Sequence, residues 1–224
     1  MKILHTIGGF APSWGGIATC TYDLLSAIHN FNPEIQADLL TNDVPSSNEQ
    51  LMGAGEDWIK AMPYDLKTPL CISQSVHRFL NNTDYDIYHT NGVWMDVHHQ
   101  TCATARKKCK PYMITPHGML YPEAMKINYW KKWPLQKLWY EKDIREAAAI
   151  HTTCDKEMEN MRKLGYQGPI AVIGNPVRVP DYTLKLCNAR IKNTDSSKND
   201  NIRRLGFLGR LHPIKKIENI LYGV

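Results

Sequence analysis

Apolar and polar positions along the chain alternate between two periods. Lys2–Gly8 is a short apolar run that ends in glycine, the pattern of a buried strand. Ile17, Cys20, Thr21, Leu24, Leu25 and Ile28 then recur at helical spacing and predict an amphipathic helix. The alternation continues, with strands predicted at Ile35–Thr41, Trp58–Met62, Asp86–Thr90, Pro111–Thr115, Ile150–Thr153 and Pro169–Ile173. Helical patterns lie at Pro69–Asn81, Asp96–Cys109, Pro134–Ala149 and Asp155–Leu164. Pro134 suits a first helical turn, where a missing N–H costs nothing, and Gly165 is placed to end a helix. Strands that alternate with helices are parallel strands joined by right-handed crossovers. The predicted fold is α/β, a doubly wound, mainly parallel Rossmann-like sheet over residues 1–178, with ligands at the carboxyl ends of its strands.

The pattern breaks beyond that point. Residues 179–202 are polar, include Thr194-Asp195-Ser196-Ser197-Lys198-Asn199-Asp200, and read as a linker. Residues 203–224 resume with a strand-like Arg203–Gly209 and a helix start at Pro213–Leu221. One strand and one helix bury no core of their own, so the expectation is the first strand and helix of a second domain that the chain does not complete.

Composition narrows the class. Hydrophobic residues at 43 % and charged residues at 22 % describe a globular chain. The net charge of +5 suits an anionic partner and suits a mildly basic solvated surface equally. Cys20, Cys71, Cys102, Cys109, Cys154 and Cys187 form no C-x-x-C pair and fall on what read as core elements, so reduced thiols are expected. Met1–Gly8 is too short for a signal peptide, and no run approaches a membrane span. The localisation these features favour is cytoplasmic. Asn81-Asn82-Thr83 matches a glycosylation acceptor but reads as a polar helix end.

Three segments carry candidate chemistry. Trp14-Gly15-Gly16-Ile17 lies between the first strand and the first helix, where glycines admit close backbone approach and a helix N-terminus favours phosphate. The order of glycines is not G-x-G-x-x-G, so no dinucleotide fingerprint is present. Thr115-Pro116-His117-Gly118-Met119 follows a strand and puts His117 at a carboxyl end. Gly209-Arg210-Leu211-His212-Pro213-Ile214-Lys215-Lys216 gathers cations at a strand end and helix start, an arrangement for a diphosphate. Asp96, His98 and His99 near His89 match no zinc spacing and read as helix-surface residues. Lys126–Lys142 interleaves five lysines with Tyr129, Trp130, Trp133, Trp139 and Tyr140. That mixture suits a membrane interface, and it suits a solvated face with aromatics turned to the core.

In order and spacing these segments resemble the family-4 retaining glycosyltransferases of the GT-B fold. The resemblance covers Lys2–Ile7, Gly15-Gly16, His89-Thr90-Asn91-Gly92-Val93-Trp94 and Pro116-His117-Gly118-Met119. It extends through Val172-Ile173-Gly174-Asn175-Pro176-Val177 to Phe207-Leu208-Gly209-Arg210-Leu211. The resemblance implies transfer of a sugar from a nucleotide-sugar donor to a glycan or lipid-linked acceptor with retained anomeric configuration. Cell-surface polysaccharide or lipopolysaccharide synthesis is the implied setting. Gly15, Gly16, Arg210 and Lys215 would face the donor phosphates, His117 the transferred sugar, and Trp14, Asn91 and Trp94 the acceptor. No metal or other cofactor is needed for that chemistry. Two departures stand out: Lys216 where the family has Gly after the matching Lys, and Gly174-Asn175-Pro176-Val177 where it commonly reads P-N-G-V. The family's acidic pair for donor sugar and ribose lies deep in the second domain and has no counterpart before Val224. The chain alone is therefore expected to show negligible turnover. A GT-B nucleotide-sugar epimerase, which needs no acceptor, is the competing enzyme. A glycan- or anionic-surface-binding module is the competing reading of another class. Basic residues without a recognition motif give no ground for a nucleic-acid partner.

Overall fold

Period-two apolar runs become seven strands: β1 (Lys2–Ile7), β2 (Gln36–Asp43), β3 (Ile59–Pro63), β4 (Ile87–Asn91), β5 (Tyr112–Thr115), β6 (Ala149–Thr152) and β7 (Ile170–Val172). The computed structural model describes residues 1–43, 49–66, 68, 70–179 and 218–222. The strands pair in the order β3-β2-β1-β4-β5-β6-β7, and every pair is parallel. The chain steps outward from β1 to β3 and then returns to β4 on the other side of β1. That reversal is the switch point at which doubly wound sheets bind ligands.

Helices cover both faces, as the sequence predicts. Helix α1 (Gly16–Phe31) buries Ala18, Thr21 and Leu25, one stripe at helical spacing. It packs with Ile7, Phe10, Ala37, Leu39 and Trp58. Full burial of a side chain such as Leu25 contributes roughly 1.5–3 kcal/mol. The opposite face presents Leu4, Tyr88, Ile114 and Ile150 to α2 (Gln74–Asn82), α3 (Asp96–Lys107) and α7 (Asp155–Lys163). Met1–Arg178 forms one compact unit and Val179–Val224 a second, of which the helix Glu218–Tyr222 is described. The linker and strand expected at 180–217, with Cys187, Arg210 and Lys215, lie outside the described residues. Among the described residues no helix is long and apolar enough to cross a membrane.

Several expectations are corrected. Helix α2 begins at Gln74 rather than Pro69, because Ser73 is its cap: the Ser73 hydroxyl accepts from Val76 N at 3.1 Å and donates to Pro63 O at 2.6 Å. Pro134 does not open a helix. It sits inside α5 (Tyr129–Leu135), which continues through a π turn at Gln136–Tyr140 into α6 (Glu141–Arg145). Proline removes an i−4 bond, and a π turn re-routes the bonding that follows. A short helix, α4 (Pro122–Lys126), precedes this run and gave no periodic signal over its 5 residues. Cys102 is buried, whereas Cys109 and Cys154 are exposed rather than in the core. The aromatics of Lys126–Lys142 divide: Tyr140 is buried at 2 % exposure, while Trp130 stands out at 85 % with Tyr129 and Trp133 also exposed.

Candidate functional site

The carboxyl ends of β1, β4 and β5 meet at the switch point, and unusual backbone conformations aim their side chains. Strand β1 leaves through Gly8 and Gly9. A Cβ on Gly8 would lie 2.0 Å from Met95 Sδ, and one on Gly9 would lie 2.0 Å from the Trp14 ring. Glycine at both positions lets these side chains close over the strand end. A 3-10 turn, Pro12–Trp14, leads to Gly15 at φ 74° and ψ −143°, a conformation that favours glycine strongly. Helix α1 starts at the next residue with no side-chain cap. A Cβ on Gly16 would meet nothing within 4 Å, and the N-terminus of a helix favours an anion.

Strand β5 delivers His117. Its φ of 50° is left-handed and is followed by Gly118 at φ 75°. Such a conformation costs about 1–3 kcal/mol in a non-glycine residue and persists where surroundings over-determine it. Glu157 of α7 supplies the constraint. Its carboxylate, on a residue 2 % exposed, accepts from Gly118 N at 2.5 Å and from Thr153 N at 2.9 Å and Thr153 Oγ1 at 3.1 Å. His117 Nε2 lies 3.4 Å from Asn91 Oδ1, at the end of β4. The imidazole lines a recess with Cys20, Thr21 and Leu24 of α1. Burial lowers its pKa to about 4, against the raising influence of Glu157, so the ring is neutral at pH 7.

His89 and His151 line the same recess and belong to a file of histidines on one sheet face. His151 Nε2 meets Ile173 O at 2.8 Å, and a carbonyl only accepts, so that nitrogen carries the hydrogen. His151 Nδ1 then accepts from Thr115 Oγ1 at 2.9 Å, and the Thr115 oxygen accepts from His89 Nε2 at 2.7 Å. The His5 ring lies against His89, centroids 4.7 Å apart and the planes tilted by 54°. Burial holds His89 well below the usual imidazole range and His5 at about 4.

The structure brings Trp14 and Asn91 to one cavity, places His117 beside Asn91, and sets Gly15 and Gly16 at the head of α1. Trp94 is elsewhere: it lines a separate cavity with Leu120 and Tyr140, and its Nε1 donates to Met119 O at 3.4 Å. Asp96 and His98 are corrected outright. They are 4 % and 3 % exposed, not surface residues, because the first turn of α3 tucks under Gly92. Sequence reasoning missed Glu157, His151 and the inward turn of His98, and it gave Thr115 no role of its own. An acidic residue in the first turn of a helix carries no sequence mark of burial.

Comparison with known proteins agrees with this architecture. No curated protein matches the chain in sequence. Among solved structures, HepE of Anabaena in complex with UDP and glucose superposes with a TM-score of 0.56 at 14% identity, over 86% of this chain and 50% of that one. The lipopolysaccharide outer core galactosyltransferase WaaB superposes with a TM-score of 0.53 at 17% identity, over 81% of this chain and 47% of its own. A Listeria monocytogenes protein named for UDP-N-acetylglucosamine 2-epimerase activity gives a TM-score of 0.52 at 14% identity, over 78% and 44%. The chain thus spans about half the length of the structures it matches, and at these identities the likeness is one of GT-B fold. The sequence itself goes further: residues 14–179, from the Trp14 turn through the last strand, match the model of Glycosyltransferase Family 4, and to that family the chain belongs.

Proposed function

We propose that this chain is the acceptor-side half of a glycosyltransferase that moves a sugar from a nucleotide-sugar donor to a hydroxyl of a glycan or lipid-linked acceptor with retention. The setting is synthesis of cell-surface polysaccharide or lipopolysaccharide, in the cytoplasm. The observation that carries the reading is the convergence of Gly15, Asn91 and the strained His117 at one sheet edge in a member of this family. HepE, whose structures hold UDP, glucose and UDP-glucose, shares the fold and supports a nucleotide sugar here. In this reading the N-terminus of α1 faces the donor phosphates, and neutral His117 offers one donor and one acceptor to a hydroxyl of the transferred sugar. Asn91 orients that ring. Trp94 acts at one remove, holding Met119 two residues past His117. Arg210 and Lys215 would neutralise the leaving diphosphate without a metal. Stabilising charge as it develops in the transition state is commonly the largest single contribution to catalysis.

The experiment is an assay of the complete enzyme against nucleotide sugars with and without glycan acceptors. Release of the nucleoside diphosphate only when acceptor is present is the expected result. Interconversion of the donor sugar without acceptor means an epimerase instead, and glycan binding without turnover means a binding module.

A second surface favours a peripheral membrane contact at the inner face. Trp130 and Leu138 are 85% and 71% exposed, beside Ile127, Tyr129 and Trp133, with Lys126, Lys131 and Lys142 among them. Aromatic and aliphatic side chains that enter the headgroup boundary beside lysines are the chemistry of an anionic lipid surface.

A further inference from the structure

The loop that follows His117 is held at each residue from Gly118 to Tyr121 by a side chain from outside it. Glu157 Oε1 accepts from Gly118 N at 2.5 Å. Trp94 Nε1 donates to Met119 O at 3.4 Å, and Asn160 Nδ2 donates to Leu120 O at 2.8 Å. The Tyr121 hydroxyl lies 3.5 Å from Cys154 Sγ. Glu157 and Asn160 stand three residues apart on α7 and so share one face. Met161 beside them is fully buried in the core, which fixes α7 against the sheet. A site supported from a packed helix is held more closely than one left to its own loop.

Two costs meet at the bond between Glu157 and Gly118. The carboxylate belongs to a residue 2 % exposed, and no ion pair neutralises it among the described residues. Burying a charge is expensive. His117, one residue from the bond, is left-handed at φ 50°, and Trp94, which anchors Met119, is left-handed at φ 78°. Strain of this kind collects at functional sites, and so do breaches of the rules that favour stability. The chemistry at 157 is also particular. One carboxylate oxygen takes Gly118 and the other takes Thr153, so both must accept. Glutamine has a single accepting oxygen and would turn its NH2 on the second set of donors.

We propose that Glu157, assisted by Asn160, is the positioning residue for His117, so that α7 presets the imidazole at the sheet edge beside Asn91 before a sugar arrives. The assignment rests on the glycosyltransferase reading, in which His117 meets the transferred sugar. Glu157 itself meets no sugar and acts through Gly118.

The test has two arms. In the first, NMR of the full chain without ligand should show a nuclear Overhauser contact between the His117 ring and the Asn91 side chain. Glu157→Gln should lose that contact while the His5 signals stay. The second is a double-mutant cycle in the complete enzyme, with the donor and acceptor found by the acceptor-dependence assay. Glu157→Gln should lower kcat by roughly ten- to a hundredfold, the effect of misplacing a group by about 1 Å, with KM for the acceptor within about threefold of the parent. Added to His117→Ala, it should cost less than about twofold more, because the two act as a unit. An equal loss in both backgrounds means that Glu157 acts elsewhere and overturns the proposal, as does a folded Glu157→Gln enzyme with parental kcat. If urea titration shows Glu157→Gln unfolded, Asn160→Ala, which removes one hydrogen bond, takes its place in both arms with the same expectations. Unfolding of both variants makes α7 a support of the fold alone and overturns the proposal. If no donor and acceptor pair turns over in the parent, the transferase reading falls and the positioning role with it; if transfer proceeds but the ring contact survives Glu157→Gln, the positioning role alone falls.

Discussion

Gly15 and Gly16 are adjacent and obey opposite constraints, which separates a folding role from a binding role. Gly15 holds φ 74° and ψ −143°, which a side chain adopts only at about 1–3 kcal/mol. Gly15→Ala should therefore lower the free energy of unfolding by about that amount. Gly16 opens a helix with free space around it. Gly16→Ala should leave stability unchanged or raise it slightly, yet weaken nucleotide-sugar binding where the methyl crowds the phosphate. Urea titration and calorimetric binding on the complete enzyme read the pair; equal effects on both would remove the distinction. His117→Ala, in the same enzyme, should reduce kcat by at least tenfold with the fold intact. Loss of stability with unchanged kinetics of the folded fraction would give His117 a structural role only. At this scale the sequence revealed residues whose chemistry is local. Gly15-Gly16 and His117 announce themselves by type and by position after a strand. His98 and Glu157 do not, since their burial is set by elements distant in the chain.

Elements were legible where apolar period was sustained and blurred where a cap or a proline decided the boundary. The α1 stripe is one continuous signal. The true start of α2 depends on Ser73 reaching Pro63 O, a contact ten residues away in sequence. The α5–α6 run depends on a proline tolerated because a π turn follows. That run also carries the element-scale prediction. Trp130→Ala with Trp133→Ala should weaken co-sedimentation with phosphatidylglycerol vesicles at least tenfold, since withdrawing one large apolar side chain from lipid costs roughly 1.5–3 kcal/mol. Vesicles of phosphatidylcholine alone should bind the unaltered chain weakly, because each lysine near an anionic surface contributes about 1 kcal/mol. Equal sedimentation of variant and parent would leave these aromatics with no lipid role.

The whole molecule stores several imidazoles uncharged. Burial holds His5 and His98 at about 4, and His117 likewise, against about 6.5 in an unfolded chain. The folded state binds fewer protons between those values, so stability is full above about pH 6.5 and declines as pH falls toward about 4. From one such histidine the loss by pH 5 is about 2 kcal/mol. Urea midpoints at pH 7.5 and pH 5 should differ accordingly, and coincident midpoints would mean the rings titrate freely. The sequence by itself determined the α/β class, the parallel sheet and the family, because period, turn glycines and motif order are properties of neighbouring residues. Tertiary structure alone decided which polar side chains are buried. Glu157 reaches Gly118 across 39 residues, and Thr115 joins His89 to His151 across strands, so their environments exist only once the sheet has formed. A side chain's hydration depends on what covers it, and in a doubly wound sheet the cover comes from segments remote in the chain.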